Sequence, residues 1–164
     1  MSTTSFRSRR TVTLERTFQA SLKDVWALLT TKAGFESWWG PEGFRTEVER
    51  FELRPGGQLR YTMTATGPDQ IAYMNNAGMP LAIAAKATIT AVDPPRRLAY
   101  THLADFIPGV EPYEISETVE LEATGDGVHL TVTLDAMHDD GWTARSVAGW
   151  ESQLNKLATL LARE

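Results

Sequence analysis

Two side chains on strand-like stretches are the first candidates for chemistry, Glu117 and His102. Between Tyr113 and Glu122, the residues Tyr113, Ile115, Glu117, Val119 and Leu121 share one face, opposite Glu114, Ser116, Thr118, Glu120 and Glu122. A regular register therefore turns one carboxylate into the apolar side. An unpaired buried carboxylate is costly, so it must find a partner, meet water or take a raised pKa. The functional reading is a cavity carboxylate that orients a ligand or acts as a base. The plainer reading is an ion pair with Arg16 or Lys86, or an exposed strand end. His102 shares a parity with Leu98 and Tyr100, which places it on the concave side as well. An imidazole beside a carboxylate makes an acid–base pair, although a lone core or rim histidine is the commoner outcome.

Other groupings carry less. Met137-His138-Asp139-Asp140 sets an imidazole next to two carboxylates, but adjacent ligands on one turn rarely converge on an ion without a third element. Acids at a helix start, where they favour the dipole, explain it more simply. His129 falls on the outer face of its strand and no two histidines stand at a metal-binding spacing, so neither metal nor cofactor is expected. Arg54-Pro55-Gly56-Gly57 lacks the Lys-Ser/Thr ending of a phosphate loop and opens no helix. No Gly-x-Ser-x-Gly elbow or dinucleotide fingerprint occurs. The chain has no cysteine, which excludes disulfides, thiolate metal sites and cysteine nucleophiles.

The stronger signal is apolar and aromatic. Trp38 and Trp39 are adjacent and stand beside a Gly40-Pro41 break. Successive side chains point apart on a helix or a strand, so one indole is expected in the core and the other in a cleft or lid. Phe44, Tyr61, Met63, Tyr73, Met74, Met79, Phe106 and Trp150 sit on faces or loops able to converge with them. Methionines in a loop make an adaptable apolar lining. Core filling accounts for many of these residues. The candidate ligand-binding set is Trp38, Trp39, Phe44, Tyr61, Met63, Tyr73, Met79, His102, Phe106, Glu117 and Trp150, with no catalytic residue assigned.

The elements that must position this set follow from periodicity. Residues 11–19 alternate, with Val12, Leu14, Arg16 and Phe18 on one face, and predict a first strand. Ser21 precedes Asp24 by three, a capping box, and Leu22, Val25, Trp26 and Leu29 predict a short helix over 22–29. A second short turn of helix over 33–37 runs into the tryptophans. Strands are expected at Phe44–Phe51, Gln58–Ala65, Ala82–Val92, Arg97–Leu103, Tyr113–Glu122 and Val128–Ala136. The last two form a hairpin through Gly125-Asp126-Gly127. The segment 66–80 shows breakers and no sustained period, so a long loop with one turn of helix is expected there. Residues 104–112 read as a second apolar-tipped loop. Val147, Trp150, Leu154, Leu157 and Leu161 predict a helix over 141–163, capped by Asp139 or Asp140.

Strands grouped apart from helices imply an α+β domain with an antiparallel sheet. Residues 1–10 read as a disordered lead-in and 11–164 as one domain, consistent with a length of 164 residues. No stretch approaches the roughly 20 apolar residues of a membrane span. The first ten residues lack the apolar stretch of a secretory signal. A formal net charge of −5 argues against nucleic-acid binding. Cytoplasmic residence is the default expectation, as a monomer or homodimer.

Four motifs together resemble the activator of heat-shock protein 90 ATPase homologue (C-terminal-domain-like) family of the START-like, or SRPBCC, superfamily. They are Trp38-Trp39-Gly40-Pro41 with Gly43-Phe44, Arg54-Pro55-Gly56-Gly57, the Pro94-Pro95-Arg96-Arg97-Leu98 turn, and Gly149-Trp150 through Leu157. The resemblance spans residues 12 to 163. It implies a helix-grip fold, a curved antiparallel sheet of about seven strands wrapped on the long C-terminal helix with two short helices, built around an apolar cavity. Three functions follow as expectations. The first is binding of a small hydrophobic molecule between the helix and the sheet. The second is a cyclase- or hydrolase-type enzyme using Glu117 and His102. The third is an interaction module that activates a chaperone's ATPase in a stress response, although the founding type does so through two domains and this chain reads as one.

Overall fold

Strand periodicity decides the sheet. The computed structural model describes residues 10–105, 107 and 109–162, and seven strands alternate along most of that length. They are β1 (Thr11–Phe18), β2 (Phe44–Phe51), β3 (Gln58–Ala65), β4 (Ala82–Asp93), β5 (Arg97–Ala104), β6 (Tyr113–Thr124) and β7 (Gly127–Asp135). They form one antiparallel sheet in the order β1-β7-β6-β5-β4-β3-β2. The hairpin of β6 and β7 closes through Gly125-Asp126, and Gly125 takes a φ of 46°, a backbone conformation glycine reaches without steric cost.

Helices cover the concave face. Helix α1 (Leu22–Thr30) and helix α2 (Lys32–Trp38) link one sheet edge to the other. Ser21 Oγ caps α1 by accepting from Asp24 N at 3.1 Å, and Thr31 Oγ1 caps α2 by accepting from Gly34 N at 3.0 Å. A third short helix, α3 (Pro68–Asn76), stands where a loop with a single helical turn was expected. Pro68 occupies its first turn, where the missing N–H costs nothing. The long α4 (Asp140–Ala162) starts at Asp139, whose Oδ1 accepts from Trp142 N at 2.7 Å.

The core lies between α4, α1 and α2 and the sheet. Val25, Leu29, Phe35, Leu59, Ile89, Leu98, Leu130, Leu134, Leu154 and Leu157 are almost wholly removed from water. Arg16, the charge on the inward face of β1, reaches Asn155 Oδ1 on α4 at 2.9 Å, keeping its head at the edge of the core. Of the lead-in expected over residues 1–10, residues 1–9 lie outside the described residues, while Arg10 O accepts from Ala136 N and the Arg10 side chain pairs with Asp140.

The Arg54-Pro55-Gly56-Gly57 turn docks onto β4, with Gly56 N donating to Ile89 O at 2.7 Å and Ile89 N to Gly57 O at 2.8 Å. Gly56 holds a φ of 83° with open space around it, whereas a Cβ on Gly57 would collide with the Glu52 carbonyl oxygen. Gly56→Ala is therefore expected to cost about 1–2 kcal/mol, the left-handed backbone term alone. Gly57→Ala should cost more, because backbone must move. Urea midpoints of the two variants check the order.

Candidate functional site

The double tryptophan separates because the helix stops between its members. Trp38 is the last residue of α2, while Trp39 is extended at φ −71° and ψ 141°. Trp38 is fully buried and its Nε1–H donates to Leu28 O at 2.7 Å. It belongs to the core and does not line the cavity, which corrects its place in the expected ligand-binding set. Trp39 turns the other way. Its ring stacks on His102 at 5.4 Å with 9° between planes and meets Trp150 edge-on at 5.2 Å.

The segment after Trp39 is fastened to α4. Gly40 takes a φ of 95°, and a side chain there would press on Thr46 Oγ1. Its N–H donates to Gln153 Oε1 at 2.8 Å, and its carbonyl accepts from Lys156 Nζ at 2.8 Å. Glu42 N donates to Ser152 Oγ at 2.9 Å. Burial, the largest influence on Lys156, lowers its pKa, and Glu42 partly offsets this.

Between Trp39, α3, α4 and strands β3 to β6 lies a cavity of about 300 Å³, at the lower end of ordinary ligand pockets. Of the expected set, Trp39, Phe44, Tyr61, Met63, Tyr73, Met79, His102, Glu117 and Trp150 border it. Phe106 lies outside the described residues. Six residues outside the expected set, Ile83, Ala85, Met137, Trp142, Arg145 and Gln153, also border it. Gln153 carried a readable signal, since it sits on the apolar stripe of α4 three residues after Trp150. Exposed Tyr73 and Arg145 mark the mouth, where the guanidinium lies 5.6 Å from the Tyr73 ring and 4.8 Å from that of Trp142.

The cavity's polar groups meet on β5, β6 and α4. Glu117 is 8% exposed, and its Oε2 accepts from Trp150 Nε1 at 3.2 Å. Neither Arg16 nor Lys86 is its partner: Arg16 is bonded to Asn155, and Lys86 is exposed. Glu117 Oε1 stands 3.3 Å from His102 Nδ1, close but without hydrogen-bond geometry. Among the described residues, four buried side-chain atoms have no hydrogen-bond partner: Glu117 Oε1, both ring nitrogens of His102, and Gln153 Nε2. A buried donor or acceptor left unmatched costs about 1–3 kcal/mol. All four belong to residues bordering this one cavity, so the cost is concentrated where a ligand would sit.

The other histidines are engaged elsewhere. His138 Nδ1 lies 2.8 Å from Tyr113 Oη, and His129 lies between Thr17 and Glu15 on the outer face. Among the described residues no three His, Cys, Asp or Glu side chains converge as a metal site. No described helix is long and apolar enough to cross a membrane.

The profile of the activator of Hsp90 ATPase homolog 1-like protein family matches residues 19–162. The chain belongs to that family. Its fold is START-like, a ligand-binding architecture. A Chromobacterium violaceum protein superposes with a TM-score of 0.76 at 22% identity, over 92% of this chain and 96% of that one. The AHSA1 protein of Silicibacter pomeroyi gives 0.72 at 24%, over 93% and 98%. CalU16 of Micromonospora echinospora gives 0.63 at 19%, over 93% and 76%. At these identities the likeness concerns the fold. No curated protein matches the sequence.

Burial, reinforced by the charge of Glu117, raises the pKa of Tyr61 and of Tyr100 well above the ordinary phenol value. The folded state thus favours the protonated phenols. Their contribution is full below about pH 10, the unfolded value, and is lost as pH rises past it. Urea unfolding from pH 8 to 11.5 should show stability falling at the alkaline end, with a shallower fall in Tyr100→Phe. Identical slopes in the two proteins would contradict the assignment.

Proposed function

We propose that this protein binds a small, mainly apolar molecule in the cavity between α4 and the sheet. The observation that carries the reading is the cavity itself. Its volume of about 300 Å³ equals roughly ten water molecules, and its wall is built from Trp39, Phe44, Met63, Met74, Met79, Met137 and Trp150. Apolar walls with a few convergent polar groups are the common form of a small-molecule site. Four thioethers let that wall adapt to more than one shape.

A second reading has its own observation. The 3.3 Å approach of His102 Nδ1 to Glu117 Oε1 is suited to proton transfer on a bound molecule, because such contacts are often loose before substrate arrives. The two readings part on the fate of the ligand. A bound compound recovered unchanged after long incubation with stoichiometric protein supports carriage. Conversion that disappears in Glu117→Gln supports catalysis.

The binding reading is tested with N-phenyl-1-naphthylamine, an uncharged apolar dye that brightens out of water. Saturable 1:1 binding is expected. Ala85, half-buried on the cavity side of β4, is the place to fill the space. Ala85→Leu should weaken dye binding more than tenfold while its thermal midpoint stays within a few degrees. Unchanged dye affinity in a folded Ala85→Leu protein would place the dye outside this cavity and remove the reading.

A further inference from the structure

We infer that the molecule held in this cavity carries a neutral hydroxyl, alcoholic or phenolic, at the end that enters first. The inference rests on the binding reading and specifies the class of ligand. The unmatched atoms set the requirement. Glu117 Oε1 needs a donor, Gln153 Nε2 needs an acceptor, and the His102 ring offers at least one N–H of its own. These groups are held in place. Gln153 Oε1 is committed to Gly40 N, so the amide presents its NH2 as the free end. Glu117 is held through Oε2 by the Trp150 indole, leaving Oε1 as the free oxygen. His102 is stacked against Trp39.

The head groups differ in what they can match. An ammonium supplies donors alone and leaves the Gln153 and His102 N–H groups unanswered. A carboxylate supplies acceptors alone and would bring a second negative charge to Glu117. An ether or ketone accepts but gives Glu117 nothing. A hydroxyl donates one proton and accepts at two lone pairs, which fits the mixed character of this site. A site built to bond a hydroxyl discriminates strongly against the analogue lacking it, because its own buried groups then stay unmatched. The apolar remainder of the ligand points towards Met63, Met79 and Tyr73 at the methionine-lined end.

The test is a matched series on the whole chain: 2-naphthol, 2-methoxynaphthalene, naphthalene and 2-naphthoate. Affinities are read from amide shifts of 15N-labelled protein, and the indole N–H signal of Trp150 reports on Glu117 directly. The expected result is 2-naphthol binding at least tenfold tighter than any other member and shifting the Trp150 indole signal, which naphthalene leaves near its free position. In Gln153→Met and in Glu117→Gln the advantage over the methyl ether should shrink to about threefold or less. The series on the unaltered protein decides the matter even where a variant fails to fold.

Equal affinity across the four overturns the hydroxyl inference and leaves the binding reading standing. Tightest binding by 2-naphthoate overturns it in favour of an anionic head. Failure of 2-naphthol where N-phenyl-1-naphthylamine binds also overturns it. Silence from the dye and all four probes removes the binding reading, and the inference with it.

Discussion

The attachment of the C-terminal helix to one glycine holds the cavity in shape. Gly40 gives its N–H to Gln153 and its carbonyl to Lys156, two side chains almost one turn apart on α4. Buried backbone groups must be paired, and here the partners come from an element 113 or 116 residues further along the chain. The helix thus fixes where the Trp39 indole, in the connection between α2 and β2, stands, and the Trp39 ring stacks on His102. Thr46 adds a third fastening, donating to Trp39 O at 2.7 Å. A loose helix would leave the indole free to fill the space it now borders.

Helix and sheet are joined again at Glu117, with a different balance. One carboxylate oxygen is satisfied by Trp150 while the other is unmatched. Replacing such a group by an apolar one of similar shape is often neutral or stabilising. Stability therefore gives no reason for this carboxylate, and the ring of aromatic side chains around it makes its burial costlier. Proteins break such local rules mainly at functional or strained sites.

The strands were legible because their alternation is clean: the inward set on β6, Glu117 included, stands where the sequence put it. The long helix and its Asp139 cap were legible too. Helix α3 was not. Gly67-Pro68 and Asn75-Asn76 frame it with breakers, its stretch has little apolar character, and among its described residues Met74 alone is fully buried. Adjacent tryptophans announced a division of labour, but the boundary of α2 decided which ring joined the core. The Arg145 clasp over Tyr73 and Trp142 joins residues of two helices far apart in sequence, a pairing no local pattern reports. The shared burial of Glu117 and His102 could be read from strand parity; their distance could not.

The chain contains five methionines, and the four among the described residues all border the cavity. Sulfur methyls give sharp resonances even in larger particles, and selective isotope labelling at this residue is simple. A spectrum labelled there would contain four signals from the cavity wall, drawn from β3, α3, the turn before β4 and the approach to α4. Few proteins offer so direct a view: the probes are already at the site, with none of the crowded background that usually hides them.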